Sequence, residues 1–197
     1  MLAITFILGI STAIYSDGLL DRIGRLMALL GSAIPSFWLG FLFIYLFSVQ
    51  YGLLPSMGRS TWQHLVLPAL TLGLGVGAVY ARVLRTNMLD MLNQNFVKAA
   101  RARGMSKRRI LVFQVFKHAL LPIVTMIGTS FAYMLGGSII VESIFSWPGL
   151  GRYIMSINMR DYPVIQGYVI FTSVLFVAIH TIVDFIYVLV DPRLRVR

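Results

Sequence analysis

Few residues in this chain carry ionisable groups where chemistry could follow. His180 and Asp184 stand four apart inside the apolar stretch Tyr168–Val190, so a helix there puts both on one face. Such a pair inside a membrane helix has two readings, a proton relay or a structural polar contact. Asp184 is seven residues from Asp191, roughly 10 Å along a helix. That brings it within reach of water, which favours the structural contact. Glu142 opens a polar segment, where it reads first as a solvated acid and second as part of an entrance. His64 and His118 sit at the ends of apolar stretches. Three separated histidines and no cysteine make no metal-ligand set, and disulfides are excluded. No Ser, His and Asp share a usable local spacing, and no G-x-x-x-x-G-K-[ST] string cradles a nucleotide phosphate. We therefore expect no catalytic residue, no metal site and no cofactor bound by this chain.

The other concentration of chemistry is positive charge. Nine of the 17 Lys and Arg residues lie between Arg82 and Lys117. Inside that stretch, Lys98-Ala99-Ala100-Arg101-Ala102-Arg103-Gly104 combines bases with small side chains. Small residues let a short helix sit deep in a partner's groove, and Gly104 can supply the positive φ that ends it. Apolar residues return at helical spacing from Ile110, and Pro122 marks entry into the next apolar run.

The elements that must position these groups are membrane spans. Hydrophobic residues make up 58% of the chain and charged residues 12%, and the mean hydropathy is +0.82. That composition excludes an ordinary soluble domain. The net charge of +10 does not indicate nucleic acid, because the bases fall between apolar runs rather than on one face. Spans are expected at Leu26–Val49 with Pro35 inside it, at Leu65–Ala81, at Ala119–Val141 and at Tyr168–Val190. Leu2–Tyr15 is too short to cross and reads as the tail of a span. Ser16–Arg25 reads as a polar turn, and so does Tyr162-Pro163. Gly73, Gly75, Gly77 and Ala78 permit close helix approach. The expected fold is an all-α polytopic transmembrane bundle of about five spans, the first partial. It forms one transmembrane domain over residues 1–197, with a loop over 82–118. Loops on one side hold fourteen of the bases and those on the other hold three. The basic loop and the C-terminus are therefore expected in the cytoplasm.

The string Lys98–Gly104 resembles the EAA motif of the membrane subunits of binding-protein-dependent ABC importers. The family's Glu is Lys98 here, and Gly104 lies eighteen residues before Pro122. Both departures resemble the dipeptide, oligopeptide and nickel branch. IPSFWLGFL from Ile34, LPALTL from Leu67, ESIFSWPGLGR from Glu142, RDYPVIQG from Arg160 and DPRLR from Asp191 resemble the same branch, in its order.

The resemblance implies an importer permease fold and the C-terminal two-thirds of such a subunit. It also implies that the helix around Lys98–Gly104 couples to an ATPase, with Pro122 closing the motif. ATP would then be bound and hydrolysed on a partner chain. Implied partners are a second permease subunit, cytoplasmic ATP-binding subunits, an external substrate-binding protein and membrane lipid. The location would be the inner membrane. A proton-driven transporter using Asp184 and His180, and a purely structural membrane subunit, stay open as alternatives.

Overall fold

The structure is a computed structural model that describes residues 1–16, 18–137, 139–156 and 161–190. The string from Asp191 to Arg195, together with Arg160 and the terminal Arg197, lies outside the described residues. Every regular element among the described residues is helical: α1 (Leu2–Ile14), α2 (Leu19–Ala33), α3 (Ser36–Phe43), α4 (Gln63–Met91), α5 (Asn95–Ala102), α6 (Lys107–Ile110), α7 (Phe116–Gly137), α8 (Ile139–Ile144), α9 (Leu150–Ser156) and α10 (Tyr162–Val190). Wider π-type turns extend α3 through Ile44–Gln50 and join α6 to α7 through Leu111–Val115.

The helices α4 and α10 are long and apolar enough to cross a membrane. Up to four crossings result if the pairs Leu19–Ala33 with Ser36–Gln50 and Lys107–Leu120 with Pro122–Phe131 each count as one broken span. The short apolar α1 adds a partial fifth. These helices agree with the all-α polytopic chain of about five spans, the first partial, that the apolar runs predict.

Several boundaries differ from the sequence reading, each for a local reason. The expected span Leu26–Val49 is two helices, because Pro35 is extended (φ −61, ψ 139). Its ring has no N–H and clashes with the preceding turn, so α2 stops at Ala33. The carbonyl of Pro35 then accepts the Leu39 N–H at 3.1 Å and opens α3. The polar segment Ser16–Arg25 is not a turn throughout, because it is helical from Leu19. Tyr162-Pro163 is no turn but the start of α10. Pro is tolerated in a first turn, where its missing N–H would lack a partner anyway. The Asp161 carboxylate caps that turn by accepting the Val164 N–H at 3.4 Å. Pro122 lies inside α7, which starts at Phe116, and the axis bends there as the apolar segment Pro122–Phe131 begins.

The chain packs as two compact units. The first comprises Met1–Ala33, Val76–Ile127 and Val183–Arg197; the second comprises Ile34–Gly75 and Gly128–Ile182. In the first, Ala13, Leu84, Met88, Val97, Ala100, Ile110, Leu111, Val115, Ala119 and Ile123 form one buried core. Here α1 lies directly on α4: a Cβ built at Gly77 would sit 3.0 Å from the Met1 carbonyl and 3.1 Å from Ile4. The Thr5 hydroxyl donates to the Gly77 carbonyl at 3.3 Å at that same crossing. Tyr80 on α4 donates to the Met126 carbonyl on α7 at 2.7 Å. The core of the second unit is Leu67, Val141 and Phe145, with Phe43, Ile44 and Phe47 packed around them.

Candidate functional site

The basic stretch is helical over most of its length. The helix α4 runs to Met91, ten residues past the expected span end at Ala81. Its 29 residues make about 44 Å of helix against roughly 30 Å of hydrocarbon, so α4 is longer than a bilayer core is thick. After a short turn, α5 carries the motif residues. Val97 and Ala100 are fully buried in the first unit's core, and Phe96 packs against it. Lys98, Ala99, Arg101, Ala102 and Arg103 are exposed.

The sequence therefore divides by helical period. One stripe of α5 anchors on the subunit, and the opposite stripe of small and basic residues faces out. Among the residues expected to meet a partner, Ala100 is the exception. Its methyl group fills this chain's own core.

The end of α5 is built to stop there. Gly104 has φ 77, as the positive-φ expectation requires. The Gly104 N–H donates to the Arg101 carbonyl at 2.9 Å, and the Met105 N–H donates to the Ala100 carbonyl at 3.2 Å. This pair of bonds is the Schellman arrangement, and the Met105 side chain packs on the same core as Ala100. Lys107 then donates to the Ser16 hydroxyl at 3.1 Å, tying the start of α6 to the turn between α1 and α2. His118 lies beside the Phe96 ring, with ring centres 5.2 Å apart.

The other candidate residues fall elsewhere. Glu142, a solvated acid by its sequence context, is half-buried on α8 and accepts the Arg152 N–H at 2.8 Å. That bond satisfies a free N–H in the first turn of α9. A Cβ at Gly149 would overlap the Glu142 carboxylate, so the glycine is what lets the acid close this hairpin. His180 donates from Nδ1 to the Phe176 carbonyl at 3.0 Å and stacks on the Phe176 ring with centres 4.1 Å apart. Asp184 is exposed on α10.

One buried ion pair escapes the sequence reading. Asp21, within the segment that reads as a polar turn, is fully buried and holds Arg85 by two bonds of 2.7 and 2.8 Å. Arg25 stands 3.5 Å from the same carboxylate. The i,i+4 spacing of Asp21 and Arg25 is a visible signal. Nothing local points to Arg85, 64 positions away.

Residues 5–196 match the family described as the binding-protein-dependent transport system inner membrane component. The chain belongs to that family. Its family membership agrees with the resemblance carried by Lys98–Gly104 and the strings around it. The glutathione transport system permease protein GsiC of Pectobacterium atrosepticum is 44% identical over 189 residues, 95% of this chain and 62% of that protein. GsiC of Salmonella typhi is 42% identical over 189 residues, with the same coverage of 95% and 62%. GsiC of Escherichia coli K12 is 43% identical over 188 residues, 95% of this chain and 61% of its own length. The chain thus spans about 62% of the length of the curated relatives it matches. Among solved structures, the MetNI methionine ABC transporter in inward facing conformations superposes with a TM-score of 0.71. At 20% identity, over 96% of this chain and 92% of the other, that likeness shows a shared fold. This inner membrane component therefore has the ABC importer permease fold expected from its motifs.

Proposed function

We propose that this chain is the membrane permease subunit of an ATP-driven importer that passes a short peptide, glutathione being the first candidate, into the cell. The observation that carries this reading is the two-faced α5. Val97 and Ala100 hold it to the core, while Lys98, Ala99 and Ala102 present a small, basic surface outward. Family membership supports the transport role, and the relatives named for glutathione transport support a peptide-sized substrate. In this reading a second permease completes the pathway and an external binding protein delivers the substrate. Cytoplasmic ATP-binding subunits dock on α5, and ATP is hydrolysed on them. Motion of α5 would pass directly into α1, α4 and α7, whose residues share its core. That is how a bias supplied outside the membrane can shift an equilibrium within it.

The docking face is tested by Ala99→Glu together with Ala102→Glu. Both positions are exposed, so membrane levels should stay normal. A carboxylate pressed into a contact shaped for methyl groups should lower ATPase co-purification and labelled-glutathione uptake by about tenfold or more. Normal uptake with the ATPase still bound would sink the proposal.

Orientation is tested separately. The chain has no native cysteine, so introduced cysteines are labelled without background. An impermeant maleimide applied to intact cells should label Arg152→Cys and spare Lys107→Cys. The opposite pattern would reverse the topology.

A further inference from the structure

The buried Asp21–Arg85 pair borders a cavity whose chemistry the transport reading does not use. The cavity measures about 240 Å³, and Arg25, Arg82 and Arg85 line it together with Thr12 and Thr86. Leu8, Ala28, Leu29 and Ala81 supply its apolar wall.

The charges do not balance. Asp21 is the acid that pairs with this group, and its side chain is fully buried and already committed to Arg85, with Arg25 3.5 Å away. Among the described residues, three guanidiniums against one carboxylate leave two positive charges in excess. Arg82 makes no ion pair among the described residues. Immediately after Arg25, the residues Leu26, Met27, Leu29 and Leu30 are all half exposed or more, at 57, 54, 50 and 53%. A water-seeking cationic edge therefore passes within one turn into an apolar surface, which is the profile of a bilayer's headgroup boundary.

We propose that this cavity binds one anionic phospholipid. Its phosphodiester would lie between Arg82 and Arg25, and its glycerol and first methylenes would lie along Leu8, Ala28 and Leu29. Arginine forks suit the paired oxygens of a phosphate. The apolar wall gives an acyl chain something that a free phosphate lacks. Basic pockets between helix ends on the cytoplasmic side are where anionic headgroups concentrate, so the choice of lipid rests on the proposed orientation.

Lipid retention tests this without requiring transport. The full chain, with whatever subunits co-purify, is taken in neutral detergent and titrated with phosphatidylglycerol or phosphatidylcholine. Native mass spectrometry counts the lipid bound. Two excess charges, at roughly fivefold each, give an expected preference for phosphatidylglycerol of about twenty-five-fold. Arg82→Gln should remove most of that preference and Arg25→Gln with Arg82→Gln the rest, with a smaller loss for phosphatidylcholine, whose choline cation already offsets its phosphate. The exposed pair Arg108→Gln with Arg109→Gln, equal in charge, should keep it. Equal retention of both lipids overturns the site. So does equal loss in the Arg108/Arg109 variant, which would mean a diffuse field. Displacement of phosphatidylglycerol by millimolar inorganic phosphate overturns the lipid in favour of a small anion.

Discussion

Ala100→Glu is expected to detach α5 from its own subunit before any partner is affected. Ala100 is 0% exposed, within a core built from α1, α4, α6 and α7. A carboxylate there has no counterion among its apolar neighbours, and an uncompensated buried charge costs on the order of 3–5 kcal/mol. The consequence is local, because α5 is short and ends in a turn that depends on the Ala100 carbonyl. Amide exchange across residues 95–105 should accelerate by at least about a hundredfold, which is roughly 3 kcal/mol. Exchange in α10 should not change. Ala99→Glu, one residue away on the exposed stripe, should leave that protection intact. If Ala100→Glu keeps the protection and loses only the partner, the side chain faces outward and the division of α5 into two faces is wrong.

Asp21→Ala should be among the most destabilising single changes in the first unit. It strands Arg85, whose side chain is 15% exposed, and removes the partner of Arg25. Breaking a buried pair from one side costs about 3–5 kcal/mol, mostly as the penalty on the charge left behind. For a chain of this size that corresponds to a fall in Tm of roughly 6–20 °C. Asp21→Ala with Arg85→Leu should recover most of it, since the charge then left without a partner, Arg25, is exposed to solvent. A Tm unchanged in Asp21→Ala, or a double variant no better than the single, would show that the pair holds nothing together.

Apolar length alone makes the spans legible in the sequence. The runs around Leu65–Ala81 and Tyr168–Val190 lie inside α4 and α10, and a helix satisfies the backbone of runs that long within the segment itself. The ends are not legible, because a helix does not have to stop where the hydrocarbon does. Arg82, Arg85 and Asp90 continue α4 once it is in water or headgroups, and charge alone reads there as loop. Pro35 and Pro163 show the same limit. One breaks a helix that apolar length would carry through, and the other starts a helix where the local string reads as a turn.

At the candidate site, the composition of Lys98–Gly104 announces a short helix ended by a glycine. Which alanine faces inward depends on the phase of the helix against a core assembled from four other segments. Ala99 and Ala100 are the same residue type with opposite surroundings, and only packing tells them apart. Asp21 and Arg85 meet across 64 positions for the same reason.

The anchoring of α5 also bears on how such subunits could diversify. Val97, Ala100 and Met105 answer to the interior, whereas Lys98, Ala99 and Ala102 answer to nothing within the chain. Drift on the outer stripe is therefore invisible to folding, and under the proposed docking only selection from the neighbour constrains it. Duplicated copies could acquire separate motors by exchanging three or four side chains, with the fold left untouched. An engineer could re-pair subunits by the same route.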